Sequence, residues 1–94
     1  MDQLIASNRA RILALARKHH IYRLRLFGSM TGDSTGPESD VDLIADLDRN
    51  GTLFDLGAFL LDLQDMLGRP VQVLTENALH PVIRSNALRE AVNL

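Results

Sequence analysis

Two aspartates lie at the start of an otherwise apolar segment of this chain, and they restrict its fold more than any other feature. Residues 40–48 read DVDLIADLD, so acidic and apolar side chains alternate there except at Ile44. Because successive side chains of a strand point to opposite faces, this segment predicts a strand with one apolar face. Asp40 and Asp42 would then point from the same face. Two like charges at that spacing repel each other, and a fold tolerates them best with a cation between them.

A glycine and a serine precede this strand and complete the pattern. The segment YRLRLF, residues 22–27, predicts an earlier strand that ends at Gly28 and Ser29, followed by a polar loop. Gly28 allows the backbone to approach a ligand, and free N–H groups after it would bind an anion. A phosphate site beside two carboxylates is the arrangement used for phosphoryl or nucleotidyl transfer, with Mg²⁺ or Mn²⁺ as the preferred cation.

Each half of this pattern has a simpler interpretation when it is taken alone. A single D-x-D is more often a solvated strand face, and a single Gly-Ser is usually a turn. The two together, at a fixed spacing, are much less expected by chance. The chain has no cysteine, which excludes a disulfide scaffold and a thiolate metal site.

The rest of the chain predicts an α/β (α+β) domain that occupies residues 1–94. The apolar periodicity indicates a helix over residues 3–19, with Asp2 as its cap, and a second helix from Thr52 to a glycine cap at Gly68. A short strand follows at residues 71–74, and a last helix begins at Pro81 and has an apolar side that extends to Val92. We therefore expect a three-stranded mixed sheet backed by helices.

Several other residues have structural interpretations. His19 and His20 end a helix, where a cation suits the helix dipole, and His80 is expected at the boundary before Pro81. Arg23 and Arg25 could contact a triphosphate, but a cross-strand ion pair is the preferred interpretation.

Composition and patterning also bear on location and partners. The net charge of −2 favours no particular partner, and no basic–aromatic stripe suggests direct binding of nucleic acid. Because no apolar run approaches the roughly 20 residues of a membrane span, we predict a cytoplasmic protein with no membrane partner.

Gly28-Ser29, ten further residues and Asp40-Val41-Asp42 match the GS-x10-D-x-D signature of the DNA polymerase β-like nucleotidyltransferase superfamily. The segments LFGS, SDVDLIADL, MLGRPV and ALHPVIRSNALREAV, in that order, resemble the minimal nucleotidyltransferase (MNT) proteins of prokaryotes over nearly the whole chain. The resemblance implies the small nucleotidyltransferase core. It also implies that Gly28 and Ser29 bind the nucleotide, and that Asp40 and Asp42 hold Mg²⁺ (or Mn²⁺) and are catalytic.

The resemblance also implies a partner and a reaction. MNT antitoxins are paired with a helical HEPN toxin, and they silence it by transferring AMP from ATP to a toxin tyrosine. This chain departs from the family at Gln72, which occupies the position of a third carboxylate on the next strand, and at Met30, where relatives often carry a basic residue. Two functions are therefore carried forward: an adenylyl-transferring antitoxin, and an inactive MNT-fold module that neutralises its partner by occlusion.

Overall fold

The computed structural model describes residues 2–27 and 40–94. Two helices, α1 (Gln3–Ser7) and α2 (Arg9–Lys18), precede the antiparallel strands β1 (Ile21–Phe27) and β2 (Val41–Leu47). The long helix α3 (Leu53–Leu67) leads to β3 (Val71–Leu74). A 3₁₀ helix (Glu76–Ala78), helix α4 (Pro81–Glu90) and strand β4 (Val92–Asn93) complete the described chain. The predicted α/β organisation is therefore confirmed.

The sheet is mixed, as predicted, but in the described chain it has four strands in the order β3-β2-β1-β4 instead of three. Strand β2 pairs antiparallel with β1 and parallel with β3. The additional strand forms because the chain leaves the helical conformation at Ala91 and Val92 pairs with Leu26. The N–H of Leu94 then donates to the carbonyl of Leu24, and the Leu94 side chain is buried. The last helix is therefore shorter than predicted, because these tertiary contacts outweigh the apolar periodicity that extends to Val92.

The predicted helix over residues 3–19 is wrong at one point, since the structure divides it at Asn8. Asn8 has φ −109° and ψ 11°, and its side-chain amide donates to the carbonyl of Leu4 at 2.9 Å. Asparagine commonly interrupts helices in this way, because its side chain competes for backbone hydrogen bonds. The predicted cap at Asp2 is confirmed: its carboxylate accepts from the N–H groups of Leu4 and Ile5 at 2.9 and 3.2 Å.

Helices α2 and α3 cover one face of the sheet and form the main core with it. The largest fully buried side chains of that core come from both layers: Phe59, Ile5, Ile12, Leu26, Leu43, Leu63 and Val41. Ile44 and Leu79 are also buried but lie outside this cluster. Ile44 alternates with Leu43, so it lies on the opposite face, which the 3₁₀ helix partly covers.

Both ends of α3 have the predicted caps. The Asp55 N–H donates to the Thr52 hydroxyl at 3.4 Å, and the Thr52 N–H donates to the Asp55 carboxylate at 2.8 Å, which is a capping box. Gly68 ends the helix with φ 67°, a left-handed conformation that favours glycine. These caps fix where α3 stops and therefore where β3 begins. Among residues 2–27 and 40–94, no helix has the length and apolarity needed to cross a membrane.

Two glycines should respond oppositely to alanine. A Cβ atom at Gly51 would lie 2.8 Å from two Leu47 side-chain carbons, whereas a Cβ at Gly57, inside α3, would meet nothing within 4 Å. We expect Gly51→Ala to lower the free energy of unfolding by about 1–3 kcal/mol through overpacking. Gly57→Ala should raise it by about 0.5–1 kcal/mol through helix propensity. Urea unfolding monitored by circular dichroism measures both, and a shift of the same sign in both variants would contradict this packing.

Candidate active site

The candidate site residues lie at one end of three neighbouring strands, β1, β2 and β3. Asp40 immediately precedes β2 and is exposed, and Asp42 is half-buried as the second residue of that strand. Asp42 is paired with Phe27 on β1 and with Gln72 on β3. Because Asp40 and Asp42 are two residues apart on an extended backbone, both side chains project from the same face. That face is opposite to the main core.

Gly28 and Ser29 lie outside the described residues, so the predictions made for them stay predictions. Phe27 is the last described residue before them, and its pairing with Asp42 brings the end of β1 next to the carboxylates. The chain therefore leaves β1 at the edge of the sheet where Asp40 and Asp42 lie. This is the connection that a combined phosphate and metal site requires.

Gln72 lies directly beside Asp42 in the parallel pairing of β2 with β3. Paired residues of adjacent strands project from the same face, so Gln72 shares the face of the two carboxylates. Its side chain is exposed. The strand alternation predicted this placement, while the role of Gln72 in the site stays a prediction.

Contacts around the start of β3 hold this edge in register. The N–H of Val41, between the two aspartates, donates to the carbonyl of Pro70 at 2.9 Å. The N–H of Val71 donates to the side-chain oxygen of Gln64 on α3 at 3.1 Å. Arg69 donates to the Asp2 carboxylate at 3.0 Å, and the two side chains are only 9% and 5% exposed. The sequence suggested Asp2 only as a helix cap; nothing in it indicated a partner 67 residues away.

Farther along the same face, the basic residues of β1 are engaged in ion pairs. Arg23 pairs with Asp46 of β2, and the Arg25 guanidinium lies 3.3 Å from Asp46 and 3.4 Å from Glu76. The predicted cross-strand ion pair is confirmed. Asp46 is therefore neutralised by arginines, which distinguishes it from Asp42 on the same strand.

The histidines have structural roles, as expected from the sequence. His19 ends α2, and its Nε2 lies 2.9 Å from the Asp62 carboxylate of α3. His80 caps α4, since its Nδ1 accepts from the N–H of Val82 at 3.1 Å. Within the described ranges 2–27 and 40–94, there is no group of three or more His, Cys, Asp or Glu residues that could hold a metal ion.

The environment of Asp42 suits a cation. Burial raises the pKa of the Asp42 carboxyl, and the negative charge of Asp40 raises it further. Both causes make the ionised form of Asp42 unfavourable until a positive charge is bound nearby. Carboxylate oxygens suit Mg²⁺ or Mn²⁺, which complete their coordination with water and substrate phosphates. The donor set therefore fits the predicted metal.

Comparison with known proteins identifies the family. The nucleotidyltransferase domain family matches residues 10–94. The candidate protein adenylyltransferase MJ0435 of Methanocaldococcus jannaschii is 32% identical over 84 residues, which cover 89% of this chain and 90% of that protein. This chain belongs to the nucleotidyltransferase domain family and is of the minimal nucleotidyltransferase type.

Solved structures agree with this assignment. The structure of a candidate minimal nucleotidyltransferase superposes with a TM-score of 0.85 at 34% identity, covering 100% of this chain and 97% of that one. A toxin–antitoxin structure with AMP-PNP has a TM-score of 0.75 at 17% identity over 92% of this chain and 71% of that one. A mutant of the toxin–antitoxin MntA-HpeT has a TM-score of 0.73 at 15% identity over 92% and 70%. The last two show the shared fold.

Asp42→Asn should stabilise the metal-free protein at neutral pH. An aspartate in an unfolded chain ionises near pH 4. The folded protein keeps the Asp42 carboxyl protonated to a higher pH, because its pKa is raised. As the pH rises through the range between these two pKa values, ionisation favours the unfolded state, so stability is lost. The variant avoids that loss and should melt at a higher temperature at pH 7, with the gain disappearing below about pH 4.

Thermal unfolding across this pH range measures the effect. The exposed Asp65→Asn is a charge-matched control, and it should show only the small gain expected from removing a negative charge at the C-terminal end of α3. Added Mn²⁺ should raise the melting temperature of the natural protein and not that of Asp42→Asn. A lower melting temperature for Asp42→Asn at pH 7 without metal would show that Asp42 is stabilised by an interaction within the fold.

Proposed function

We propose that this protein is the antitoxin of a toxin–antitoxin pair and that it transfers AMP from ATP to a hydroxyl of a HEPN-type toxin in the cytoplasm. One observation carries the proposal: Asp40 and Asp42 lie at the end of the sheet where β1 leads into Gly28 and Ser29. The related adenylyltransferase and the toxin–antitoxin structures support the reaction class and the kind of partner.

In this reaction the acceptor hydroxyl oxygen attacks the α-phosphorus of ATP. The bond between the α-phosphorus and the bridging oxygen breaks, pyrophosphate leaves with that oxygen, and the hydroxyl proton is lost. Asp40 and Asp42 would hold Mg²⁺ (or Mn²⁺), which when bound neutralises phosphate charge and orients the reacting group. Gly28 and Ser29 would bind the phosphates with backbone N–H groups and the serine hydroxyl.

Gln72 limits the rate in this proposal. Its amide oxygen can ligand a cation, but it cannot accept the hydroxyl proton as a carboxylate could. General-base assistance typically contributes about 10²- to 10⁴-fold to a rate. With Gln72 beside Asp42, the proton must be taken by water or by the partner, so transfer should be slow.

The same observation favours a second candidate function, in which the protein neutralises its toxin by occlusion. An MNT-fold protein with Gln72 in place of a carboxylate would keep nucleotide and partner binding while losing most of its chemistry. Here Asp40 and Asp42 would retain the bound nucleotide without turnover.

ATP binding should depend on a divalent cation. We expect calorimetric titration to show at least tenfold tighter binding of ATP with Mg²⁺ or Mn²⁺ than with EDTA, because Asp40 and Asp42 would hold the cation and its charge would neutralise the phosphates. The double variant Asp40→Asn/Asp42→Asn should lose this difference, and the exposed Asp65→Asn should keep it. Equal affinity with and without metal would contradict the assignment of Asp40 and Asp42.

A carboxylate at position 72 should accelerate transfer. We expect Gln72→Asp to raise the rate of AMP transfer at least tenfold, since it supplies both a base and a metal ligand. Because residue 72 is exposed at the edge of the sheet, folding should be little affected. Gln72→Asn is the matched control without the charge, and it should show no gain.

The assay follows labelled AMP from ATP onto the co-expressed product of the neighbouring gene. Gln72→Asp/Asp42→Asn should be inactive, since it lacks a metal ligand. Fast transfer by the natural protein with no gain in Gln72→Asp would show that two carboxylates suffice. Inactivity of every variant, with the partner still bound, would favour occlusion.

A further inference from the structure

Helix α3 presents apolar side chains to solvent on the side that does not pack on the sheet. Phe54 is 89% exposed, Leu53 78% and Leu61 61%. Large apolar groups that share one helix face on the outside of a small domain commonly mark a binding surface. We call Phe54, Gly57 and Leu61 the outer face of α3.

The spacing of these residues makes the face continuous. Positions three, four and seven apart on a helix lie on one side, so Phe54, Gly57 and Leu61 follow one another along α3. Gly57 lies between the two large side chains, and no atom approaches within 4 Å of the position where its Cβ would be. Glycine in a helix interior is less stable than alanine, and no contact inside this domain requires it. The gap over Gly57 would let another helix approach closely.

The charge of α3 indicates which kind of helix would fit. Its charged residues are all acidic, namely Asp55, Asp62 and Asp65. Asp65 is exposed and lies four residues beyond Leu61, at the end of the outer face where the helix dipole is negative. Asp55 closes the capping box and Asp62 contacts His19, so Asp65 is the acid of α3 that could pair with another helix. A helix with lysine or arginine beside its apolar residues would be complementary.

We propose that the outer face of α3 docks a basic amphipathic helix of a partner protein. The apolar residues of that helix would pack on Phe54 and Leu61 across Gly57, and a lysine or arginine would meet Asp65. The surface is separate from the carboxylates, which project from the opposite side of the sheet. The proposal does not rest on AMP transfer, since docking needs neither nucleotide nor metal.

Gly57→Gln tests the docking proposal without destabilising the fold. Glutamine favours a helix more than glycine, so the variant should be at least as stable as the natural protein. Its side chain would occupy the gap through which the partner helix approaches. Ser85→Gln is the matched control, because Ser85 is exposed on α4.

Two fluorescent 18-residue helical peptides serve as probes. They share one leucine stripe, which is flanked by lysine and arginine in one peptide and by glutamate in the other. In anisotropy titrations at 50 mM salt with EDTA, we expect the basic peptide to bind at least tenfold more tightly than the acidic one. Gly57→Gln should weaken the basic peptide at least tenfold, Asp65→Asn should weaken it by a smaller factor, and Ser85→Gln should leave it unchanged.

Three results would overturn the proposal. The first is that the basic peptide does not bind, or binds no better than the acidic one. The second is that Gly57→Gln binds it like the natural protein. The third is that sedimentation shows the natural protein as a dimer that Gly57→Gln converts to a monomer, since the occupant of the face would then be a second copy of this chain.

Discussion

Strand β2 forms hydrogen-bonded pairs on both sides, antiparallel with β1 and parallel with β3, and this double pairing organises the rest of the molecule. One face of β2 is committed to the core through Val41 and Leu43, which are almost fully buried. Because side chains alternate, the other face is fixed as soon as the core forms. Asp42 is therefore held beside Phe27 and Gln72 by the same contacts that stabilise the fold, with no need for dedicated supports.

This placement sets the electrostatic character of the protein. Asp42 lies close to the buried part of β2, and this burial raises the pKa of its carboxyl. No basic side chain among the described residues is paired with Asp42. Four residues farther along, Asp46 carries the same charge but lies between Arg23 and Arg25. The contrast shows that the fold supplies arginines where a carboxylate is structural. No described arginine is paired with Asp42, the position at which we propose that a cation binds.

Much of this arrangement could be predicted from the sequence, because it depends on local rules. The alternation of side chains predicts which residues of β2 share a face, and the cap residues predict where α3 begins and ends. Three features could not be read in this way, and two of them depend on contacts between distant segments. Strand β4 forms because Val92 finds a partner in Leu26, Asn8 divides the first helix through its own side chain, and Arg69 reaches Asp2 from 67 residues away. At the candidate site, parity predicted the face of Gln72, its pairing with Asp42 comes from the strand register, and Gly28 and Ser29 rest on the motif alone.

The exposed position of Gln72 on β3, the terminal strand of the described sheet, has a consequence for how such proteins diversify. Residue 72 lies beside Asp42 and is exposed, so its identity should matter little for folding. If the proposed function holds, a single exchange between amide and acid at this position would separate a ligand-holding protein from a catalyst while leaving the architecture intact. Descendants of one ancestral domain could thus move between chemistry and simple binding in either direction, without passing through an unfolded intermediate sequence.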